Sequence, residues 1–229
     1  MSASEYKRQA AEFAAAMVED GMVVGLGTGS TAAFVVEALG RRHKEGLRFV
    51  AIPTSVATEK QALGLGIHLT TFGEHARVNL TIDGADEIQR GTLNLIKGLG
   101  GALLREKIVA ASSDRLVIVA DDTKLVDHLG MKTLLPVEVT SFGWEATARQ
   151  IEQLGGQASP RRNRDGAFFV SDGGNLILDC RFPVISDAGR LEQEIRSIVG
   201  VVESGLFVGM ATDAIVAGGE GIAHLTVGA

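Results

Sequence analysis

The sequence predicts an α/β protein: a mostly parallel sheet covered by helices, carrying a smaller α+β domain towards the C-terminus. Three observations predict it. Short buried strands alternate with helical segments in the first half of the chain, which implies right-handed crossovers and parallel pairing. Beyond Lys124 the order changes to strand, helix, short strands, helix, strand. The length of 229 residues, with 45% hydrophobic and 22% charged, suits one large domain or a medium domain with a small companion.

From Ser4 onward, Ala10, Phe13, Ala14, Met17 and Val18 recur at helical spacing, and Gly21 reads as the stop. Residues 22–26 read as a buried strand, 27–30 as a tight loop and 31–39 as a helix ended by Gly40. The pattern repeats with strand 48–52, helix 55–63 ended by Gly64, strands 67–71 and 78–82, helix 102–111 and strand 115–120. Ligands of such a sheet collect at the carboxyl ends of its strands. In the second half, strand 134–139, helix 143–154, strands 157–161, 167–171 and 175–180, helix 187–198 and strand 201–207 follow one another. Asp172, Gly173 and Gly174 form a strong hairpin signal. This order predicts a ferredoxin-like unit, and 213–217 reads as a strand able to return to the first sheet. The expected division is a Rossmann-like domain, 1–130 plus 208–229, with a small ferredoxin-like α+β domain, 131–207, inserted near the C-terminus.

The formal net charge of −6, with basic residues scattered apart from Arg161, Arg162 and Arg164, argues against a nucleic-acid surface. A small phosphorylated ligand remains compatible, because backbone amides and one or two lysines make a local positive site. Cys180 is the sole cysteine, so neither an intrachain disulfide nor a cysteine zinc cage can form. Charged residues interrupt the N-terminal segment as they never do a signal-peptide core, and no apolar run approaches the roughly 20 residues of a membrane span. The expectation is a cytoplasmic enzyme with no membrane partner.

Four segments could carry chemistry. Gly27, Thr28, Gly29, Ser30 and Thr31 link a strand to a helix, where glycines and first-turn amides can cradle an anion and hydroxyls add donors; the plainer reading is a turn with a hydroxyl cap. It is neither a dinucleotide fingerprint nor a Walker loop. Asp83, Gly84, Ala85, Asp86 and Glu87 set three carboxylates after a buried strand, a pattern open to acid–base work, to helix capping or to a magnesium site. Lys97, Gly98, Leu99, Gly100 and Gly101 can gather a cation and several amides around an oxyanion. Glu106 lies about one turn into the next helix, either as a positioned base or as a surface glutamate paired with a lysine. Lys124, behind Asp121 and Asp122, stands at another strand end, as a ligand contact or as a solvated lysine. His43, His68, His75, His128 and His224 show no metal-ligand spacing, and Trp144 and Cys180 read as packing residues.

Taken together these strings resemble the type A ribose-5-phosphate isomerase family: GLGTGSTA from Gly25, IPTS and TEK between Ile52 and Lys60, TIDGADEI from Thr81, IKGLGGALLREK from Ile96, DDTK from Asp121, LPVEV from Leu135 and GGNLILD from Gly173. The resemblance implies interconversion of ribose 5-phosphate and ribulose 5-phosphate in the non-oxidative pentose phosphate pathway. It implies Glu106 as the base that moves a proton from C2 to C1 through an enediolate, Lys97 and nearby amides as oxyanion donors, and Asp83 and Asp86 as handlers of substrate oxygens in ring opening. Thr28 to Thr31, Gly84, Ala85, Gly98, Leu99, Gly100 and Lys124 fall on substrate-binding positions. No metal or organic cofactor is implied, and the assembly is expected to be a homodimer or homotetramer. Leu99 departs from the glycine or arginine of relatives, but its backbone amide survives the change. Two other classes compete. A sugar-phosphate-sensing domain of a repressor would carry a DNA-binding helix pair in front and need no base at Glu106, and a nicotinamide oxidoreductase would need the missing glycine fingerprint.

Overall fold

The computed structural model describes residues 2–227. The chain begins with α1 (Ala3–Ala15), β1 (Val23–Leu26), α2 (Ser30–Lys44), β2 (Val50–Pro53) and α3 (Val56–Gly64). There follow β3 (Leu80–Gly84), β4 (Glu87–Gln89), β5 (Leu95–Ile96), α4 (Leu103–Ala111), β6 (Leu116–Asp121) and β7 (Leu125–Val126). Next come β8 (Leu135–Val139), α5 (Trp144–Glu152), β9 (Gln157–Pro160), β10 (Leu176–Arg181), α6 (Ala188–Arg196) and β11 (Val201–Ser204). The last strands are β12 (Leu206–Phe207), β13 (Asp213–Gly218) and β14 (Gly221–Thr226). The chain divides into two compact units, Met1–Ala85 with Arg105–Lys124 and Met210–Ala229, and Asp86–Leu104 with Leu125–Gly209.

The first unit is built on a six-stranded sheet in the order β14-β13-β6-β3-β1-β2, parallel except for the β13–β14 hairpin. It is the mostly parallel sheet expected, with 213–217 returned to it as β13. Val24, Leu26, Ile82, Val117, Val119 and Ile215 from the strands pack in one apolar cluster, and Val23, Ile52 and Val109 in another. α1 is capped by Ser2 in a capping box with Glu5 and buries the small stripe Ala10, Ala11, Ala14 and Ala15, so it packs closely. It ends at Ala15, before Gly21. α2 runs on through Gly40, where the sequence reading stops it, to Lys44. A Cβ at Gly40 would lie 2.9 Å from Leu65, so this glycine serves helix packing, not termination. Residues 67–71 form one isolated parallel bridge, Ala51 to Leu69, and no strand.

The second unit holds the ferredoxin-like sheet, β11-β8-β10-β9, with α5 and α6 in the order expected of a βαββαβ unit. Residues 167–171 are not a strand. They make two isolated bridges, Arg162 to Phe168 and Val170 to Leu176, and half-exposed Val170 has no second face to cover it. The expected strand 201–207 breaks at Gly205, where a Cβ would fall 2.2 Å from the Lys97 carbonyl oxygen. Beyond the break, β12 joins an unforeseen sheet, β12-β5-β4-β7. That pairing gathers residues 86–104 and 125–130 into this unit, whereas the sequence reading assigns them to the first domain. Residues 1, 228 and 229 of the expected first domain lie outside the described residues. Cys180 is buried, which pushes its thiol up, away from the nucleophilic thiolate.

At the start of β13, burial alone would raise the Asp213 carboxyl, but hydrogen bonds from Thr212 Oγ1 (2.6 Å), His224 Nε2 (2.8 Å) and Arg115 Nη2 (3.1 Å), with the Arg115 charge, hold it below the usual carboxylate range. A depressed folded value adds stability that is present above the unfolded value, about 3.9, and vanishes as pH falls through the folded one. Asp213→Asn is therefore expected to melt below wild type at pH 7, with the gap narrowing below about pH 4. Melting curves at pH 7 and pH 3 check this; a gap that does not change with pH contradicts it.

Candidate active site

In the first unit, the site residues stand at the carboxyl ends of β1, β3 and β6. β1 and β3 are adjacent, and a Cβ at Gly27 would lie 2.1 Å from Asp83 Oδ1, so only glycine lets the two strand ends come this close. Asp83, 1% exposed, accepts the Thr28 N–H at 3.0 Å and the Gly84 N–H at 2.7 Å through one oxygen, Oδ1. The carboxylate thereby fixes the loop that starts α2.

Gly29 is the N-cap of α2 at φ +106° and supplies no side-chain cap to the first-turn amides, beside which Ser30 is exposed. The Thr28 hydroxyl, expected to contact substrate, lies 2.7 Å from Thr54 Oγ1, 2.8 Å from Ser55 Oγ and 3.2 Å from Thr58 Oγ1, contacts that brace the loop. Thr31 is also buried. The Thr54, Ser55 and Thr58 positions thus hold the loop from beneath, Thr58 Oγ1 donating to the Gly27 carbonyl at 2.9 Å.

Lys7 was missed by the sequence reading. Its Nζ lies 3.1 Å from Ser30 Oγ and 3.9 Å from Asp121 Oδ2, placing a cation at the anion end of α2. The signal was available: Lys7 precedes Ala10, Ala11 and Ala14 at three- and four-residue steps, on the stripe that faces the fold. Asp121 accepts the Thr123 N–H at 3.1 Å and leads into the single turn of 3₁₀ helix that carries half-buried Lys124. Glu106 stands in the first turn of α4 and is 4% exposed, which rules out the solvated surface pair. A cavity of about 460 Å³ opens elsewhere on this unit, between Pro53, Phe72 and Arg105, and no predicted site residue lines it.

In the second unit, β5 delivers Lys97, whose N–H donates to Gly205 O at 2.9 Å. The side chain is 2% exposed and its Nζ lies 5.5 Å from the Phe207 ring centre, a cation held over an aromatic face. The Gly98–Gly101 turn follows, closed by Gly101 N–H to Gly98 O at 3.0 Å, with φ +105° at Gly98 and +81° at Gly101. Leu99 turns its side chain to solvent, 44% exposed, while its amide donates to Asp86 Oδ2 at 2.9 Å. The departure at 99 leaves the backbone donor in place. Gly100 is exposed beside it.

Glu87, the third carboxylate of the acidic run, is structural. Fully buried, it accepts the N–H groups of Gly130 (2.6 Å), Lys132 (2.6 Å) and Thr133 (2.7 Å). Every acid of the run therefore binds main-chain N–H groups. Among the described residues no three histidine, cysteine or carboxylate side chains are grouped to hold a metal ion. Glu87→Gln puts an amide donor against these donors and is expected to cost roughly 1–3 kcal/mol. The check is a lower urea midpoint with kcat of the folded fraction near wild type; an unchanged midpoint contradicts it.

Each unit thus carries acid, amine and main-chain amide groups of the kind that an α/β enzyme of the sugar-phosphate isomerase class uses. The family model for ribose 5-phosphate isomerase A (phosphoriboisomerase A) matches residues 50–221. The chain belongs to the ribose-5-phosphate isomerase A family. It is 60% identical over 220 residues to ribose-5-phosphate isomerase A of Gloeobacter violaceus, covering 96% of this chain and 95% of the relative. Against the Synechococcus sp. enzyme it is 55% identical over 225 residues, 98% of each chain. The Methanocaldococcus jannaschii ribose 5-phosphate isomerase A structure superposes with TM-score 0.94 at 40% identity, covering 98% of this chain and 100% of that one. A D-ribose-5-phosphate isomerase solved in complex with phospho-erythronic acid gives 0.95 at 36% identity, covering 99% and 100%.

Proposed function

We propose that this chain interconverts D-ribose 5-phosphate and D-ribulose 5-phosphate by proton transfer, with Glu106 as the base. The observation that carries the reading is the burial of Glu106, a carboxylate withheld from solvent on the first turn of a helix, in a member of this family.

In the assigned roles, the phosphate sits at the first turn of α2 with Lys7, Ser30 and the Gly29–Thr31 main chain, and Lys124 is a further contact. Asp83 and Asp86, with Gly84 and Ala85 between them, handle the substrate oxygens as the ring opens. The Glu106 carboxylate takes the proton from C2 of the open aldehyde. The electron pair of that C–H bond forms the C1–C2 double bond, and the carbonyl pair moves to O1. Lys97 and the amides of Gly98 and Gly100 meet the negative charge there, the Leu99 amide being held by Asp86. Glu106, now protonated, returns its proton to C1, while O2 gives up its proton and O1 gains one, leaving a ketone at C2 and a hydroxyl at C1. A base typically supplies about 100- to 10,000-fold in such a transfer.

The place of work is proposed to be the cytoplasm, and the assembly a homodimer or homotetramer. Among the described residues no helix is long and apolar enough to cross a membrane. Light scattering of the purified protein reads the assembly, with a monomer contradicting it. Ribulose 5-phosphate formation in the presence of a chelator tests the activity. Binding of ribose 5-phosphate with no turnover by wild type would instead favour the sugar-phosphate-sensing reading.

A further inference from the structure

We infer that Arg161 is a positioning residue for this reaction, holding the Gly98–Gly101 turn so that the Leu99 amide stays on the Asp86 carboxylate and the Gly100 amide is left to face the developing oxyanion. The inference rests on the isomerase reading proposed above.

Arg161 belongs to the short basic run Arg161, Arg162 and Arg164, in a chain whose net charge of −6 argues against a nucleic-acid surface. Within the second unit its guanidinium turns to the turn after Lys97. Nη1 donates to Gly98 O at 2.9 Å and to Leu99 O at 3.0 Å, so one cation holds two successive carbonyls. In a planar trans peptide the N–H points opposite to the C=O of the same unit. Fixing the Gly98 carbonyl towards Arg161 therefore turns the Leu99 N–H away from it, and fixing the Leu99 carbonyl does the same to the Gly100 N–H. One consequence is visible: the Leu99 N–H meets the Asp86 carboxylate at 2.9 Å. Two successive amides turned to one side are the geometry of a backbone anion site; Asp86 takes the first, and the second, of Gly100, is the one left for a substrate oxygen.

The clamp is itself braced. Asp179 on β10 takes Arg161 in a two-point pair, Nε to Oδ2 at 3.0 Å and Nη2 to Oδ1 at 2.5 Å, with both side chains largely buried. Phe169 lies with its ring centre 5.7 Å from the guanidinium carbon. The tip of that ring fills the space over Gly101, where a Cβ would be 2.3 Å from Phe169 Cζ. Arg162, by contrast, donates to Gly166 O at 2.7 Å and stacks on Phe168, away from this turn. Lysine offers no fork able to satisfy Asp179 and two carbonyls at once.

The test compares Arg161→Ala, Arg161→Lys, Asp179→Asn and the Arg161→Ala/Asp179→Asn double variant with wild type and Glu106→Gln in steady-state kinetics, melting and phospho-erythronate binding. Arg161→Ala is expected to lower kcat about 10- to 100-fold, the scale of small misplacements at a reacting centre, with KM within about threefold. Added guanidinium chloride at low millimolar concentration should restore part of kcat to Arg161→Ala and none to Glu106→Gln, a rescue that a merely structural arginine would not give. The double variant should be no slower than Arg161→Ala, because the two residues act as one unit. Wild-type kcat and KM in Arg161→Ala, whatever its melting point, overturn the proposal. Should that variant fail to fold, Arg161→Lys and Arg161→Gln decide it: undiminished kcat in both overturns it. An inactive wild type defeats the isomerase reading itself, whereas an active wild type with inactive Glu106→Gln and undiminished Arg161 variants defeats only the role of Arg161.

Discussion

Glu106→Gln is expected to lower kcat for ribose 5-phosphate isomerisation by roughly 100- to 10,000-fold, with KM within about threefold of wild type. The substitution keeps the volume and shape of a side chain that is 4% exposed in the first turn of α4, so the helix and its packing have little reason to change. What is lost is the oxygen able to accept a proton. Because the carbonyl, phosphate and hydroxyl contacts of the substrate lie on other residues in the proposed assignment, ground-state binding is retained while the transition state loses its base. Parallel losses of binding and turnover would point instead to a substrate-holding role for Glu106.

The second large effect is expected at Lys97. Lys97→Met should lower kcat about 100- to 1,000-fold, the usual consequence of deleting one oxyanion donor. Methionine follows the same path with similar volume over the Phe207 ring, where the ammonium now lies 5.5 Å from the ring centre at 2% exposure. Replacing a buried ammonium by an apolar thioether removes its desolvation cost together with its polar contacts, so melting is read beside the kinetics. Kinetics and melting measured on the same preparation separate the two. A fall in melting temperature that accounts for all of the lost activity would make Lys97 a structural cation.

These two residues show what the sequence made legible. Glu106, Lys107 and Ala110 lie three, four and seven residues beyond Leu103 and all four are buried, so Glu106 and Lys107 are polar residues on the core stripe of α4. The glycines around Lys97 and the Gly27–Thr31 loop were readable because glycine at a strand end marks a close approach, as the Gly27 to Asp83 geometry bears out. β4, β5, β7 and β12 were not readable: two or three residues cannot display a period of two, and their pairing depends on partners far along the chain. Gly40 and Gly205 looked like punctuation or went unnoticed because what a glycine avoids, Leu65 in one case and the Lys97 carbonyl in the other, is tertiary. Glu87 shared the acidic signature of its neighbours, and only its three amide partners reveal it as a brace. Nothing local to Thr28 announces the hydroxyls of Thr54, Ser55 and Thr58 that brace it, because they lie far along the chain.

The central claim is that a proton is taken from C2 by Glu106, and the most direct test is exchange with solvent. Ribose 5-phosphate equilibrated with wild type in heavy water and chelator should acquire deuterium at C2, and the ribulose 5-phosphate should acquire it at C1. Glu106→Gln should bind phospho-erythronate as wild type does and leave both positions protonated over the same interval. Exchange by Glu106→Gln at the wild-type rate, or wild-type turnover with the C2 hydrogen wholly conserved at C1 after prolonged equilibration, would contradict the account.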